Sequence, residues 1–263
     1  MTRRRLDAEL VRRGLRTGSG AARETIEAGV VQVSGTVVTN PASMVADDAP
    51  IVLLGEARPY VSRAGAKLAA ALDRFGIDPR GRRCLDAGAS TGGFTDVLLQ
   101  RGASEVVAVD VGYGQLDWSI RSDPRVDVRE RTNVRGLDLV SIGAPVDLVV
   151  ADLSFISLRT VLPALQGLAT PEASFIVLVK PQFEVEKGTV GKGGVVREPA
   201  AWARVLDEVV WAAGDLGLDA VDAMASPVPG PAGNVEFLLS LRAAAGARAD
   251  LARAVAEGTA VQP

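Results

Sequence analysis

Apolar and polar positions change rhythm along this chain of 263 residues. In "LDAELVRRGL", Leu6, Leu10, Val11 and Leu15 fall at helical spacing and predict one apolar face. "ARETIEAGVV" predicts a second helix that stops at Gly29. "VVQVSGTVVTNP" then alternates with Ser-Gly at its centre, as a tight hairpin does, and "DDAPIVLL" supplies another short strand. Two helices and a small sheet make an α+β module of marginal size. "GEARPYVSRAGAKL" connects it, through Gly55 and Pro59, to a helix from about Gly65 to Phe75.

From residue 81 the pattern becomes strand–helix–strand. "RRCLDAG", "EVVAVDVG", "RVDVRER", "VDLVVADLSF" and "SFIVLVK" read as strands, with "TGGFTDVLLQRG" and "LRTVLPALQGL" helical between them. "PAAWARVLDEVVWAAGDLGL" is a long helix broken at Gly217, after which "DAVDAMAS" and "NVEFLLSLR" close the sheet. Alternating strands and helices imply an α/β fold with a mostly parallel, doubly wound sheet. The last two strands follow one another across "PVPGPAGN" and predict an antiparallel final pair. The expected domains are 1–57, a linker at 58–64, 65–245, and a tail at 246–263 read as a loose terminal helix.

Composition narrows the chemistry. With 48% apolar residues a full core is available, yet no run is long or charge-free enough to span a membrane. The basic start "MTRRRLDAEL" lacks the apolar segment of a signal peptide. One cysteine excludes an intramolecular disulfide and fits a reducing, cytoplasmic setting. No histidine is present, which excludes histidine triads, the usual histidine base and histidine zinc sites. No metal is expected, and the chain is expected to act as a monomer. Net charge is −3, but residues 1–25 carry seven arginines against Asp7, Glu9 and Glu24, a local patch suited to phosphate.

"LDAGASTGGF" is the first candidate site. A strand ending at Asp86, then Gly88, with Gly92 and Gly93 opening a helix, lets a ligand approach the backbone. Asp110 ends the next strand 24 positions later, placed for ribose hydroxyls. The loop does not follow G-x-G-x-x-G and fits the D-x-G-x-x-x-G-G form of S-adenosylmethionine-dependent methyltransferases better. "GTVGKGG" lacks Walker spacing and reads as a mobile basic loop beside the site. Cys84, inside the first strand, reads as a small buried hydrophobe rather than a nucleophile.

Strand tips supply the second candidate. "ADLSF" ends at Asp152, "SFIVLVKPQFE" delivers Lys180 at the end of an apolar strand, and "GNVEF" opens the last strand with Glu236. Tips of an open α/β sheet converge on one crevice. Lys67, on the helix before the first strand, is the fourth partner.

Two resemblances follow from these residues. Leu6, Asp7, Gly14, Ala22, Arg23, Ile26, Gly29, Val30, Val31, Val33 and Gly35 resemble the small RNA-binding domain of ribosomal protein S-four, pseudouridine synthases and tyrosyl-tRNA synthetases. That likeness implies RNA contacts for Arg3, Arg4, Arg5, Arg12 and Arg23. Across nearly the whole chain, "VSRAGAKL", "CLDAGASTGGFTDVLLQRGA", "VVAVDVGYGQLDW", "RERTN", "VDLVVADLSFIS", "LVKPQFE" and "GNVEFLL" resemble the TlyA family. These are ribosomal RNA 2′-O-methyltransferases, also labelled hemolysins, with a core like that of RrmJ/FtsJ. The resemblance implies a Rossmann-like class I methyltransferase with a seven-stranded sheet, S-adenosyl-L-methionine as cofactor and ribosomal RNA as partner. It places a catalytic tetrad on Lys67, Asp152, Lys180 and Glu236. Cofactor contacts fall on Asp86, Gly88, Ser90, Thr91, Gly92, Gly93, Phe94, Asp110, Asn133 and Asp152, and further RNA contacts on Arg58, Arg63, Lys187 and Lys192. The family's interdomain R-x-W-V is "RPYV" here, with Tyr60 in place of tryptophan.

A ribose 2′-hydroxyl is a weak nucleophile, so its proton must leave as the methyl arrives. Lys180 is expected either to accept that proton as a neutral amine, favoured by burial and by Lys67, or to orient the hydroxyl. The family's substrates are cytidines of one or both subunit RNAs, and the longer chain here leans to both. The alternatives are a membrane-active hemolysin and a non-catalytic ribosome assembly factor.

Overall fold

The computed structural model describes residues 3–16, 18–54, 59–186, 191, 193–243, 246 and 248–262. The chain divides into two units, Met1–Pro59 and Tyr60–Pro263.

The first unit runs β1 (Arg3–Arg5), α1 (Leu6–Arg12), α2 (Ser19–Glu27), β2 (Val31–Val33), β3 (Thr36–Val37), β4 (Met44–Ala46) and β5 (Ile51–Leu53). β3, β2 and β5 form one antiparallel sheet, and β1 pairs with β4. Ser34 and Gly35, with φ of 50° and 84°, turn the β2–β3 hairpin in the left-handed region that primed turns require. Leu6, Leu10, Ala22, Ile26, Val31 and Val45 form its core. Val11, expected on the same face, is exposed, because one residue beyond Leu10 is a 100° step out of a narrow stripe. The β1–β4 ladder was not anticipated: Arg3–Arg5 is exposed throughout and has no apolar alternation.

The second unit runs α3 (Ala64–Phe75), β6 (Arg83–Ala87), α4 (Gly93–Gln100), β7 (Glu105–Val109), α5 (Trp118–Arg121), β8 (Val126–Arg129), α6 (Leu139–Ile142), β9 (Val146–Ala151), α7 (Leu158–Gly167), β10 (Ala169–Val179), α8 (Pro181–Glu184), α9 (Pro199–Gly214), β11 (Leu218–Ala225), β12 (Phe237–Ala243) and α10 (Leu251–Val261). The seven strands lie in the order β11-β12-β10-β9-β6-β7-β8. β12 runs antiparallel to both β10 and β11, and the β6, β7, β8, β9 and β10 pairings are parallel. The chain steps outward from β6 to β7 and β8, then crosses to β9 on the other side of β6. That reversal opens a crevice at the carboxyl ends of β6 and β9, where such sheets bind ligands.

Alternate strand residues serve opposite faces. Leu85, Val149 and Phe175 join α7 and α9 in one core, whereas Cys84, Leu148 and Ile176 join α3 and α4 in the other. Both faces are therefore covered, which explains the continuous apolar strands. Truncating one of these buried leucines to alanine costs about 2–5 kcal/mol. Burial pushes the Cys84 thiol up to about 12, as its reading as a packed hydrophobe requires.

The segment expected as a loose tail is instead part of this unit. α10 buries Ala254, and Gly258 lies so close to Phe237 that an added Cβ would meet its ring at 3.0 Å. Arg253 pairs with Asp222 at 2.5 Å. Small residues one turn apart let the helix lie against the sheet, a signal hidden in the Ala/Arg composition. Among the described residues no helix is long and apolar enough to cross a membrane.

Candidate active site

The loop between β6 and α4 is shaped by close approach. Gly88 has φ 92°, and a Cβ there would overlap the Asp152 carbonyl at the tip of the neighbouring strand. Asp152 N–H donates to the Ala87 carbonyl at 3.0 Å, which locks the two tips together. Gly92, at φ 95°, caps α4 in the left-handed region, and Gly93 faces Ser62 and Ala64 with no space for a side chain.

Three carboxylates sit around this loop. Asp110 accepts Ser90 N–H at 2.8 Å and Gly112 N–H at 2.6 Å, so backbone amides fix its orientation. Asp86 is buried, with Thr95 Oγ1 donating to Oδ2 at 2.7 Å and Oδ1 without a partner among the described residues. Burial pushes the Asp86 carboxyl up to about 7, opposed by the Thr95 hydroxyl and reinforced by the charge of Asp152. Asp152, the third, pairs with a lysine.

Four charged side chains from separate segments make two ion pairs. Lys180 Nζ lies 2.6 Å from Asp152 Oδ1 and 2.9 Å from Ser154 Oγ. Lys67 Nζ donates to Glu236 Oε2 at 2.5 Å, across 169 positions of sequence. Lys67, Lys180 and Glu236 are buried, and Asp152 is nearly so. Each lysine thus faces a carboxylate.

These pairs border a cavity of about 460 Å³ lined also by Arg63, Gly88, Ser90, Thr91, Gly93 and Phe94. A second cavity of about 400 Å³ is lined by Asp110, Asn133 and Thr132, and shares Gly88, Ser90, Asp152, Ser154 and Phe155 with the first. Asn133 caps the short turn Val134–Gly136 through its Oδ1. Asp86 and Gly92 line neither of the two: Asp86 lies beneath Thr95, and Gly92 is closed off by Leu116 and Ile120. Arg3, Arg4, Arg5, Arg12 and Arg23 belong to the first unit. Arg58, Lys187 and Lys192, and most of "GTVGKGG", lie outside the described residues.

The sequence reading missed several lining residues. Ser62 Oγ, Gln182 Oε1 and Glu236 Oε1 are buried without a partner among the described residues, all on residues that line the first cavity. Asn234 joins two loops: its Oδ1 accepts Val196 N–H, its Nδ2 donates to the Gly194 carbonyl, and its own carbonyl accepts Gly230 N–H, each at 2.9 Å. Glu184 accepts Ser157 Oγ and Leu158 N–H at 2.6 Å each, tying the segment after Lys180 to the loop after Asp152. Phe155, 90% exposed at φ 64°, stands 5.1 Å from the Phe183 ring. Ser154 and Asn234 stood within the quoted motifs "ADLSF" and "GNVEF"; the signal was their place two residues from a charged strand tip.

Comparison with known proteins agrees with this geometry. The FtsJ-like methyltransferase family matches residues 60–243. The 16S/23S rRNA (cytidine-2′-O)-methyltransferase TlyA of Mycobacterium tuberculosis is 55% identical over 264 residues, covering 97% of this chain and 98% of that protein. Hemolysin A of Brachyspira hyodysenteriae is 37% identical, covering 89% of this chain and 98% of that one. A solved structure of a hemolysin candidate from Streptococcus thermophilus superposes with a TM-score of 0.76 at 36% identity, covering 99% of this chain and 97% of its own. A glycine-shaped loop, a strand-end carboxylate held by two backbone amides and two Lys–carboxylate pairs thus sit at the strand tips of this sheet, and the comparisons name the family: the chain belongs to the FtsJ-like methyltransferases, within the TlyA family.

Proposed function

We propose that this protein methylates the ribose 2′-hydroxyl of cytidine in 16S and 23S ribosomal RNA, with S-adenosyl-L-methionine as donor. The observation that carries the reading is the pair of buried contacts, Lys180–Asp152 and Lys67–Glu236, on a cavity that shares a wall with the Asp110 cavity. The preference for both RNAs rests on the name of the M. tuberculosis relative, which this chain matches almost end to end.

The residues present fit the cofactor. Gly88 and Gly93 leave backbone bare where a Cβ would clash, and buried unpartnered oxygens on Ser62, Gln182 and Glu236 offer acceptors to a ligand's N–H and O–H groups. Asp110 would accept its ribose hydroxyls, and Asn133 with Asp152 would border its base and sugar. Asp86, Ser90, Thr91, Gly92 and Phe94 shape the same loop. When bound, the cofactor supplies a methyl group activated by a sulfonium.

Lys180 would donate a hydrogen bond to the acceptor oxygen and aim its lone pair. The hydroxyl proton would leave toward the Lys180–Asp152 pair, whose charged atoms lie 2.6 Å apart. Lys67 and Glu236 would fix the opposite wall. Arg3, Arg4, Arg5, Arg12 and Arg23 would hold RNA phosphate, with Arg63 beside the cavity and Arg58, Lys187 and Lys192 assigned to the same role from sequence alone.

Transfer of labelled methyl to isolated ribosomal subunits, followed by nucleoside identification, tests the reading. The expected product is 2′-O-methylcytidine in both RNAs; label on a base would sink it. Lysis of red cells by purified protein, undiminished in Lys180→Ala, would favour a membrane activity instead.

A further inference from the structure

Seven arginines within the first 25 residues repel one another and, left alone, would sweep many rotamers. Two buried carboxylates on α1 lie within 4 Å of five of them. Asp7, 4% exposed, accepts Arg5 Nε at 3.1 Å and Nη2 at 2.8 Å, and Arg23 Nε at 3.2 Å. Glu9, 0% exposed, accepts Arg12 Nε at 2.8 Å and Nη2 at 2.5 Å and Arg13 Nε at 2.7 Å, with Arg4 at 3.9 Å. The arginine side chains of Arg4, Arg5, Arg12 and Arg23 nevertheless stay 48–57% exposed. Arg13 differs: 23% exposed, it also donates to the Asp47 and Ala49 carbonyls and serves the unit itself.

For stability alone, burying a carboxylate against charged partners is a poor choice, since apolar residues of similar size do as well or better. The geometry gives another reason. Arg5 and Arg12 turn their Nε–Nη2 edges inward, leaving Nη1 without a partner among the described residues. Arg23 uses only Nε. A guanidinium held by one edge presents the other as a rigid fork, the shape that matches two phosphate oxygens.

We propose that Asp7 and Glu9 are positioning residues for RNA, holding the guanidinium planes of Arg5, Arg23 and Arg12 with one edge free for phosphate. The inference rests on the RNA-binding reading above and adds the residues that make it efficient. Phosphate then meets side chains whose rotamers are already fixed, so less ordering remains to be done on binding. It predicts a sign opposite to bulk electrostatics. Asp7→Asn or Glu9→Gln changes the net charge from −3 to −2, which by counterion release alone would tighten RNA binding. Loss of the held forks weakens it.

The test uses the full-length protein and labelled 23S ribosomal RNA transcript across a salt series. Wild type should bind, and Asp7→Asn and Glu9→Gln should bind about ten-fold more weakly. The KM for large subunits should rise with kcat unchanged, a split that general destabilisation does not produce. Circular dichroism confirms that each variant is folded. Should a carboxylate variant unfold, Arg5→Lys and Arg12→Lys decide: they keep the charge and lose the fork, and should also weaken binding. A folded Asp7→Asn that binds as tightly as wild type or tighter overturns the inference, as does wild-type affinity in both lysine variants. Wild type that fails to bind the transcript overturns the RNA-binding reading itself, an outcome visible before any variant is made.

Discussion

In the N-terminal unit Asp7 and Glu9 are buried, while most of the guanidinium groups they hold remain half in water. In the cavity of the second unit both partners of Lys67–Glu236 are buried, and so is Lys180 beside Asp152. The same chemistry, a base against a carboxylate, is used in opposite ways. A buried anion with an exposed cation makes a surface of the kind proposed above to meet phosphate. Buried partners make a fixed field that solvent averages away far less, the setting that the proposed transfer requires. Each arrangement fails differently when broken, and the difference is measurable.

The largest effect is expected from Lys180→Ala. Methyl transfer should fall about 10³-fold while cofactor affinity, read by equilibrium dialysis, stays near wild type. Retention of full kcat would remove Lys180 from the reaction and with it the contrast between the regions. Next comes Glu236→Ala, which leaves the Lys67 ammonium buried without its carboxylate and should destabilise the second unit by about 3–5 kcal/mol in urea unfolding. The double variant Lys67→Met/Glu236→Leu should recover that stability and remain inactive. Asp110→Ala should weaken cofactor binding about ten- to hundred-fold by calorimetry, since one carboxylate fixed by two amides is lost.

The smallest effects concern pH, and here the two regions run in opposite directions. The Arg5 guanidinium, then Arg23, holds Asp7 down to about 2, and Arg12 with Arg13 does the same for Glu9. Their folded values lie below the ordinary 3.8 and 4.5, so their stabilisation is present above that range and is lost as pH falls toward about 2. Asp86 is raised by burial to about 7, so its protonated form favours the folded state, fully below 3.8, and that contribution is lost as pH rises through 7. Asp86→Asn should flatten the stability profile of the second unit between pH 4 and 7 in thermal melts. Persistence of the slope in that variant would assign it to other groups.

Much of this was legible in the sequence. Strands with continuous apolar runs, such as Phe175 to Val179, announced a sheet covered on both faces, and the lone antiparallel strand followed from "PVPGPAGN". The residues at the strand tips were legible for the same reason: a charge ending an apolar run needs a destination. Which lysine meets which carboxylate was not, because pairing across 169 residues depends on strand order rather than on local pattern. β1 was hidden because three arginines carry no periodicity, and α10 because alanine and glycine reveal a docking face only when the surface opposite is known. Ser62 and Gln182 were invisible as site residues, since a lone polar residue is ordinary until its burial is seen.

The Lys67–Glu236 contact also sets a schedule for the growing chain. Lys67 is synthesised early, but its partner lies 169 residues downstream, on the segment that enters β12 between β10 and β11. Until that strand has left the ribosome and slotted between its neighbours, the cavity lacks one wall. The first unit, built from contacts among its own sixty or so residues, closes long before. A nascent chain therefore completes its arginine surface first and the cavity of its second unit last.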